Sequence, residues 1–127
     1  MRRASPRPTD GELSILRVLW ARGPSTVRDV HEALPDRETG YTTTLKLMQI
    51  MAEKGLVTRD ESARTHVYKP RASQDHTLRQ IVSDLVDRAF GGSAAALVLQ
   101  ALSTRPSTRE ELAEIEQLID AHKRQKR

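Results

Sequence analysis

The sequence predicts a mainly α-helical chain with one small β-hairpin. Three observations carry this. From Tyr41 the residues Thr44, Leu47, Met48 and Met51 recur at i, i+3, i+4 and i+7, one buried stripe of a helix that stops at Gly55. Two short runs follow, Leu56–Arg59 and His66–Lys69, alternating apolar with polar residues around the polar tip 60–65, the pattern of an antiparallel hairpin. From Gln74 onward, three helical patterns are separated by Gly91-Gly92 and by Ser103–Pro106. Helix followed by hairpin with a basic tip is the order of a winged helix-turn-helix. The whole therefore reads as a winged helix-turn-helix followed by a three-helix dimerisation lobe.

In chain order, residues 1–8 hold three Arg and two Pro without periodicity and read as a flexible basic arm. Residues 9–72 read as the winged helix. Thr9 and Glu12 have capping-box spacing and open a helix to about Ala21. Leu13, Leu16, Leu19 and Trp20 are expected inward, with Ile15 and Val18 partly so. Gly23-Pro24 breaks that helix. Ser25-Thr26 offers a strand residue or two and then caps a second helix, Val27 to Ala33, whose apolar side is Val30, Ala33 and Leu34. The turn from Leu34 to Gly40 leads into the helix at Tyr41.

The face of that helix opposite its stripe carries Thr42, Thr43, Lys46, Gln49 and Ile50. Hydroxyls, an amide and an ammonium are groups that read base edges and hold phosphates when a helix lies in the DNA major groove. In helix-turn-helix geometry the preceding helix, which carries Arg28, crosses the DNA backbone. Arg64, at the hairpin tip, is the candidate wing contact to a phosphate or the minor groove.

Residues 73–122 read as the dimerisation lobe. Leu78, Ile81, Val82, Leu85, Val86 and Phe90 give the first helix an apolar side. Ser93–Leu102 is apolar through Ala94–Leu99, and Ser107–Glu110 is a capping box opening a third helix with Leu112, Ile115, Leu118 and Ile119 on one side. A lobe this small is near the limit for closing its own core, and its apolar content exceeds what three short helices hide. Burial against a second copy is the economical solution, and a two-fold dimer also sets two recognition helices about one DNA turn apart. The expected interface residues are Ile81, Leu85, Phe90, Leu97, Val98, Ile115 and Ile119.

Net charge is +4, but its distribution is more telling. Residues 1–70 hold 12 Lys and Arg against 9 Asp and Glu, residues 71–122 hold 5 against 8, and the tail 123–127 adds four basic residues. A basic front half and tail around an acidic middle suit polyanion binding by the front half, although a solvated surface has the same signature. There is no Cys, hence no disulfide, thiolate metal site or Cys nucleophile, which fits a reducing, cytoplasmic setting. No apolar run approaches the ~18 residues of a membrane span, and the N-terminus lacks the apolar core of a secretory signal. His31, His66, His76 and His122 are scattered and read as solvent-facing rather than metal ligands. No G-x-S-x-G elbow or Gly-rich phosphate loop is present, and Asp84 and Asp87 read as a solvated face. No enzyme, metal or cofactor is expected. The competing reading is a helical protein-interaction module whose basic ends serve solubility.

Taken together and in order, several short pieces resemble the BlaI/MecI family of winged-helix repressors. They are Glu12 with Leu19-Trp20, Gly23-Pro24 with Thr26–Val30, Tyr41-Thr42-Thr43, Lys54–Val57, Tyr68-Lys69-Pro70 and Phe90–Ser93. The likeness runs from about Thr9 to Ile119. It implies repression by a homodimer on a palindromic operator, a role for Thr42, Thr43, Lys46 and Arg64 at the DNA, and a membrane sensor protease as a further partner. Three departures accompany it. Ile50 stands where family members often carry a basic residue. The Cys pairs of the copper-responsive relatives are absent. Gln100-Ala101 follows Leu97-Val98-Leu99 where the β-lactam-responsive members have the Asn-Phe pair at which they are cleaved.

Overall fold

The structure, a computed structural model, describes residues 7–36 and 38–125. Most of the basic arm (1–6), Arg37 in the turn before the third helix, and the last two tail residues lie outside these. The elements are α1 (Asp10–Arg22), α2 (Val27–Ala33), α3 (Tyr41–Lys54), β1 (Val57–Asp60), β2 (Val67–Pro70), α4 (Gln74–Ala89), α5 (Ala94–Thr104) and α6 (Arg109–Gln125). Packing divides the chain into two compact units, one ending at Val82 and the other beginning at Ser83. The division falls inside α4 rather than at the 72/73 boundary read from the sequence. The start of α4 belongs with the first unit, where Thr77 is buried.

In the first unit, α1 opens with the expected capping box. The Thr9 amide donates to Glu12 Oε1 (2.9 Å) and the Glu12 amide to Thr9 Oγ1 (3.3 Å). Gly23, at φ 93°, ends the helix. Ile15, Leu16 and Leu19 are buried to 2 % exposure or less. Leu13 and Trp20 are only half-buried and Ile15 takes the central place expected of them. Trp20 lies at the edge because its indole N–H needs a partner, which it finds in the Ala72 carbonyl at 3.1 Å. A second capping box, Thr26 with Asp29, opens α2. Val27 and Val30 form its buried side, with Leu34 just beyond, whereas Ala33 is exposed.

α3 buries Thr44, Met48 and Met51 completely and Leu47 by half. Gly55, at φ 85° and ψ 17°, takes the left-handed conformation that ends it. Leu56 closes the cap by donating its amide to the Met51 carbonyl (2.9 Å). That use of Leu56 explains why β1 begins at Val57, one residue later than the alternation suggests. β1 and β2 pair antiparallel, with Arg59 opposite Tyr68 and Asp60 opposite Val67, so His66 falls into the tip. Ser25 adds a bridge on the other side of β2, exchanging backbone bonds with Tyr68 at 2.8 and 2.9 Å.

One ion pair locks the C-terminal end of α3 to the start of α1. Lys54 Nζ donates to both carboxylate oxygens of Glu12, at 2.8 and 2.9 Å. Burial pushes the Glu12 carboxyl up, but the Lys54 bond and charge and the Thr9 contacts outweigh it and hold the pKa below the usual glutamate value.

In the second unit, Gly91 (φ 58°) and Gly92 (φ 85°) make the turn between α4 and α5. Ser93 caps α5, its hydroxyl accepting from the Ala96 amide at 3.0 Å. α5 runs through Thr104, not Leu102: the Ser103 and Thr104 hydroxyls turn back onto the Leu99 and Ala101 carbonyls, so residues read as linker finish the helix. The capping box of α6 is Thr108 with Glu111, one residue beyond the Ser107–Glu110 reading. Both frames fit the pattern, and the start of α6 at Arg109 selects the later one. Lys123, Arg124 and Gln125 continue α6 instead of forming a separate tail, and the charges of Lys123 and Arg124 lie at the negative end of the helix dipole. No side chain of α5 or α6 is buried.

Candidate nucleic-acid interface

With the Thr44/Met48/Met51 stripe inward and Lys54 tied to Glu12, the other side of α3 faces outward. Thr42, Thr43, Lys46 and Gln49 are all exposed there. Ile50, expected on this face, is half-buried. Its apolar side chain lowers its free energy by leaving water, as does that of half-buried Leu45.

Beside this face runs a concavity of about 500 Å³ between the start of α2, the outer side of α3 and the hairpin. Three sequence-predicted residues meet in it: Arg28, Gln49 and Arg64. Thr42, Thr43 and Lys46 remain on the open surface of α3 and do not line it. Sequence reasoning missed Tyr41, Arg59 and His66, which also line it. Three guanidinium groups and an imidazole share the groove, and none of its described lining residues is acidic. Such a lining offers charge-assisted donors to an anion.

Local contacts fix these side chains. The Arg28 guanidinium lies 5.4 Å from the centre of the Tyr41 ring, a cation–π distance. His31 meets the same ring edge-on at 5.7 Å, and its Nδ1 is 3.0 Å from the hydroxyl of buried Thr44. His31 is thus a half-buried member of a small cluster, not the solvent-facing histidine expected. Arg59 donates from Nε to Glu61 Oε2 at 2.7 Å. At the wing tip Asp60 accepts the Ser62 amide at 2.9 Å, which holds its carboxyl below the usual aspartate range.

The second surface is apolar. Val98, Ile115 and Ile119 line a trough of about 690 Å³ between α5 and α6, together with Leu99 and Leu118. Leu99 and Leu118 are the most exposed large apolar side chains described, at 69 % and 61 %, and were not among the expected interface residues. Leu97 and Phe90 are half-buried and do not line the trough. On α4, Ile81 is half-buried, whereas Leu85 is exposed in a stripe with Leu78 and Val82.

The family model described as "Penicillinase repressor" matches residues 8–121. The chain belongs to the penicillinase repressor family. It is 24 % identical over 123 residues to the penicillinase repressor of Bacillus licheniformis, a match covering 96 % of each protein. It is 38 % identical over 93 residues to the transcriptional regulator BlaI of Mycobacterium tuberculosis (strain ATCC 25618 / H37Rv), covering 70 % of this chain and 67 % of that one. The solution structure of the DNA binding domain of the repressor BlaI matches with a TM-score of 0.50 at 20 % identity, over 57 % of this chain and 90 % of that one. That likeness establishes the winged-helix fold of the front half. The family consists of transcriptional repressors and not enzymes.

Within this penicillinase repressor family member, Gln100 and Ala101 lie exposed in the later part of α5. Among the described residues no group of three His, Asp or Glu side chains is arranged to hold a metal ion. No single described helix is long and apolar enough to cross a membrane.

Proposed function

We propose that this repressor acts as a homodimer on a palindromic operator, seating α3 in the major groove with the DNA backbone passing along the groove beside it. Thr42, Thr43, Lys46 and Gln49 read bases and adjacent phosphates, Arg28 contacts the backbone from α2, and Arg64 does so from the wing. The observation that carries this reading is the convergence of Arg28, Arg59 and Arg64 on one concavity without acidic lining, directly beside the polar face of α3. Arg28, Lys46 and Arg64 have no carboxylate partner within ion-pair distance among the described residues, so their charge is available to phosphates.

The absence of any buried side chain in α5 and α6 supports the dimer. Covering a Leu side chain is worth about 1.5–3 kcal/mol, and several stand uncovered here. The proposed partners are therefore operator DNA and a second copy of the chain, in the cytoplasm. A membrane sensor protease remains the partner suggested by family likeness, and Gln100-Ala101 favours release by another route.

The test follows DNA affinity against salt concentration while light scattering reports the mass. Repressor action of this kind requires a dimer whose log–log slope is steep, near −0.9 per phosphate neutralised. A slope near zero would return the chain to the protein-interaction reading.

A further inference from the structure

We infer that Arg59 is a second phosphate anchor of the wing, held ready by Glu61, and that Glu61 competes with DNA for it. This rests on the DNA reading above and deepens it. Arg59 stands opposite Tyr68 in the β1–β2 register. The Tyr68 ring is buried at 1 % exposure, so its position is set by the core. Glu61 Oε2 accepts the Arg59 Nε–H at 2.7 Å. A guanidinium held through its Nε has lost part of its rotamer freedom before DNA arrives, so binding a phosphate costs it less further ordering. Arg59 lines the same groove as Arg28 and Arg64.

Glu61 plays two opposed parts. It orients Arg59, and it places a carboxylate beside the point where a phosphate must approach. Its side chain is 54 % exposed, so the pair is screened and a phosphate can displace it. A pair of this kind restrains non-specific binding without abolishing it.

The experiment measures full-length protein on a random-sequence duplex across a salt series, with the melting temperature as a folding control. Arg59→Gln is expected to weaken binding about five- to ten-fold near 0.1 M salt and to reduce the slope by about 0.9. Glu61→Gln is expected to strengthen binding about two- to five-fold, the range of an exposed ion pair. That gain is expected to vanish in the Arg59→Gln background. A folded Arg59→Gln variant with the parental slope overturns the anchor. An equal gain from Glu61→Gln in both backgrounds overturns the competition, because Glu61 then acts as general repulsion. A parental protein without salt-dependent binding defeats the DNA reading itself, an outcome distinct from these two.

Discussion

Replacing Lys54 by Met is expected to destabilise the winged-helix unit by about 2 kcal/mol at neutral pH. Charge-assisted hydrogen bonds contribute about 1.5–3 kcal/mol each. Lys54 makes two to a single carboxylate, but its side chain is 35 % exposed, so screening moves the value to the lower part of that range. The loss also leaves Glu12, 3 % exposed, without its counter-charge. Breaking a wholly buried pair costs about 3–5 kcal/mol, an upper bound here because the Thr9 amide still serves Glu12. With a urea dependence near 2 kcal/mol per molar, the unfolding midpoint falls by roughly 1 M. Trp20 is the only Trp in the chain and lies on α1, so its fluorescence reports the transition without a label.

The pH dependence sharpens this test. In the parental protein the Glu12 pKa is depressed, so its contribution is complete above the ordinary value of 4.5 and disappears as pH falls through the folded value. In Lys54→Met the burial effect is left unopposed by the ammonium, and protonation relieves the strain of the lone carboxylate. The stability gap between the two proteins should therefore be full at neutral pH and close as pH falls through the depressed Glu12 value. Equal midpoints at neutral pH, or a gap that persists unchanged in acid, would refute the reasoning.

Other outcomes follow from the two surfaces. Thr43→Ala should relax base preference at one operator position by about 1–3 kcal/mol, and Lys46→Ala should weaken binding to all sequences; competition assays on operator and random DNA separate the two effects, and no change in either variant rejects this orientation of α3. Leu118→Glu should convert the proposed dimer to monomers, because each Leu buried is worth about 1.5–3 kcal/mol and two-fold symmetry counts the change twice. Light scattering of the parental chain as a monomer at micromolar concentration would defeat that expectation. After a β-lactam challenge, immunoblots should show the chain intact, since Ala101 lacks the large ring that a protease pocket grips. A fragment beginning at Ala101 would overturn it.

What could be read from the sequence divides by the range of the interaction involved. Signals contained within a few residues were legible: the Thr9–Glu12 box, the stop at Gly55, the stripe on α3, the double glycine after α4. Where such signals failed, two local patterns competed. Leu56 suits a strand by its neighbours, but the helix cap claims its amide first. Ser107 and Thr108 both stand three residues before a Glu, and helical geometry downstream selects Thr108. The same local reasoning set Leu99 aside, because in a run apolar all round no periodicity distinguishes a covered side from an open one.

The larger omissions are juxtapositions across long separations. Lys54 and Glu12 are 42 residues apart, and Trp20 reaches Ala72 across 52. Nothing in the alternation of β1 marks Arg59 as different from any outward-facing strand residue. Its place in the groove depends on the hairpin folding back toward α2. Sequence places the three arginines in α2, in β1 and at the hairpin tip, each with an ordinary explanation as a solvated charge. Only their convergence, with no acidic group among the described lining, makes the pattern electrostatically costly for the free protein and favourable for one bound to phosphates. Like charges brought together in this way repel one another until an anion is present. The same arrangement that weakens the isolated wing therefore favours its partner, and Glu61, bonded to Arg59, relieves part of that repulsion while the DNA is away.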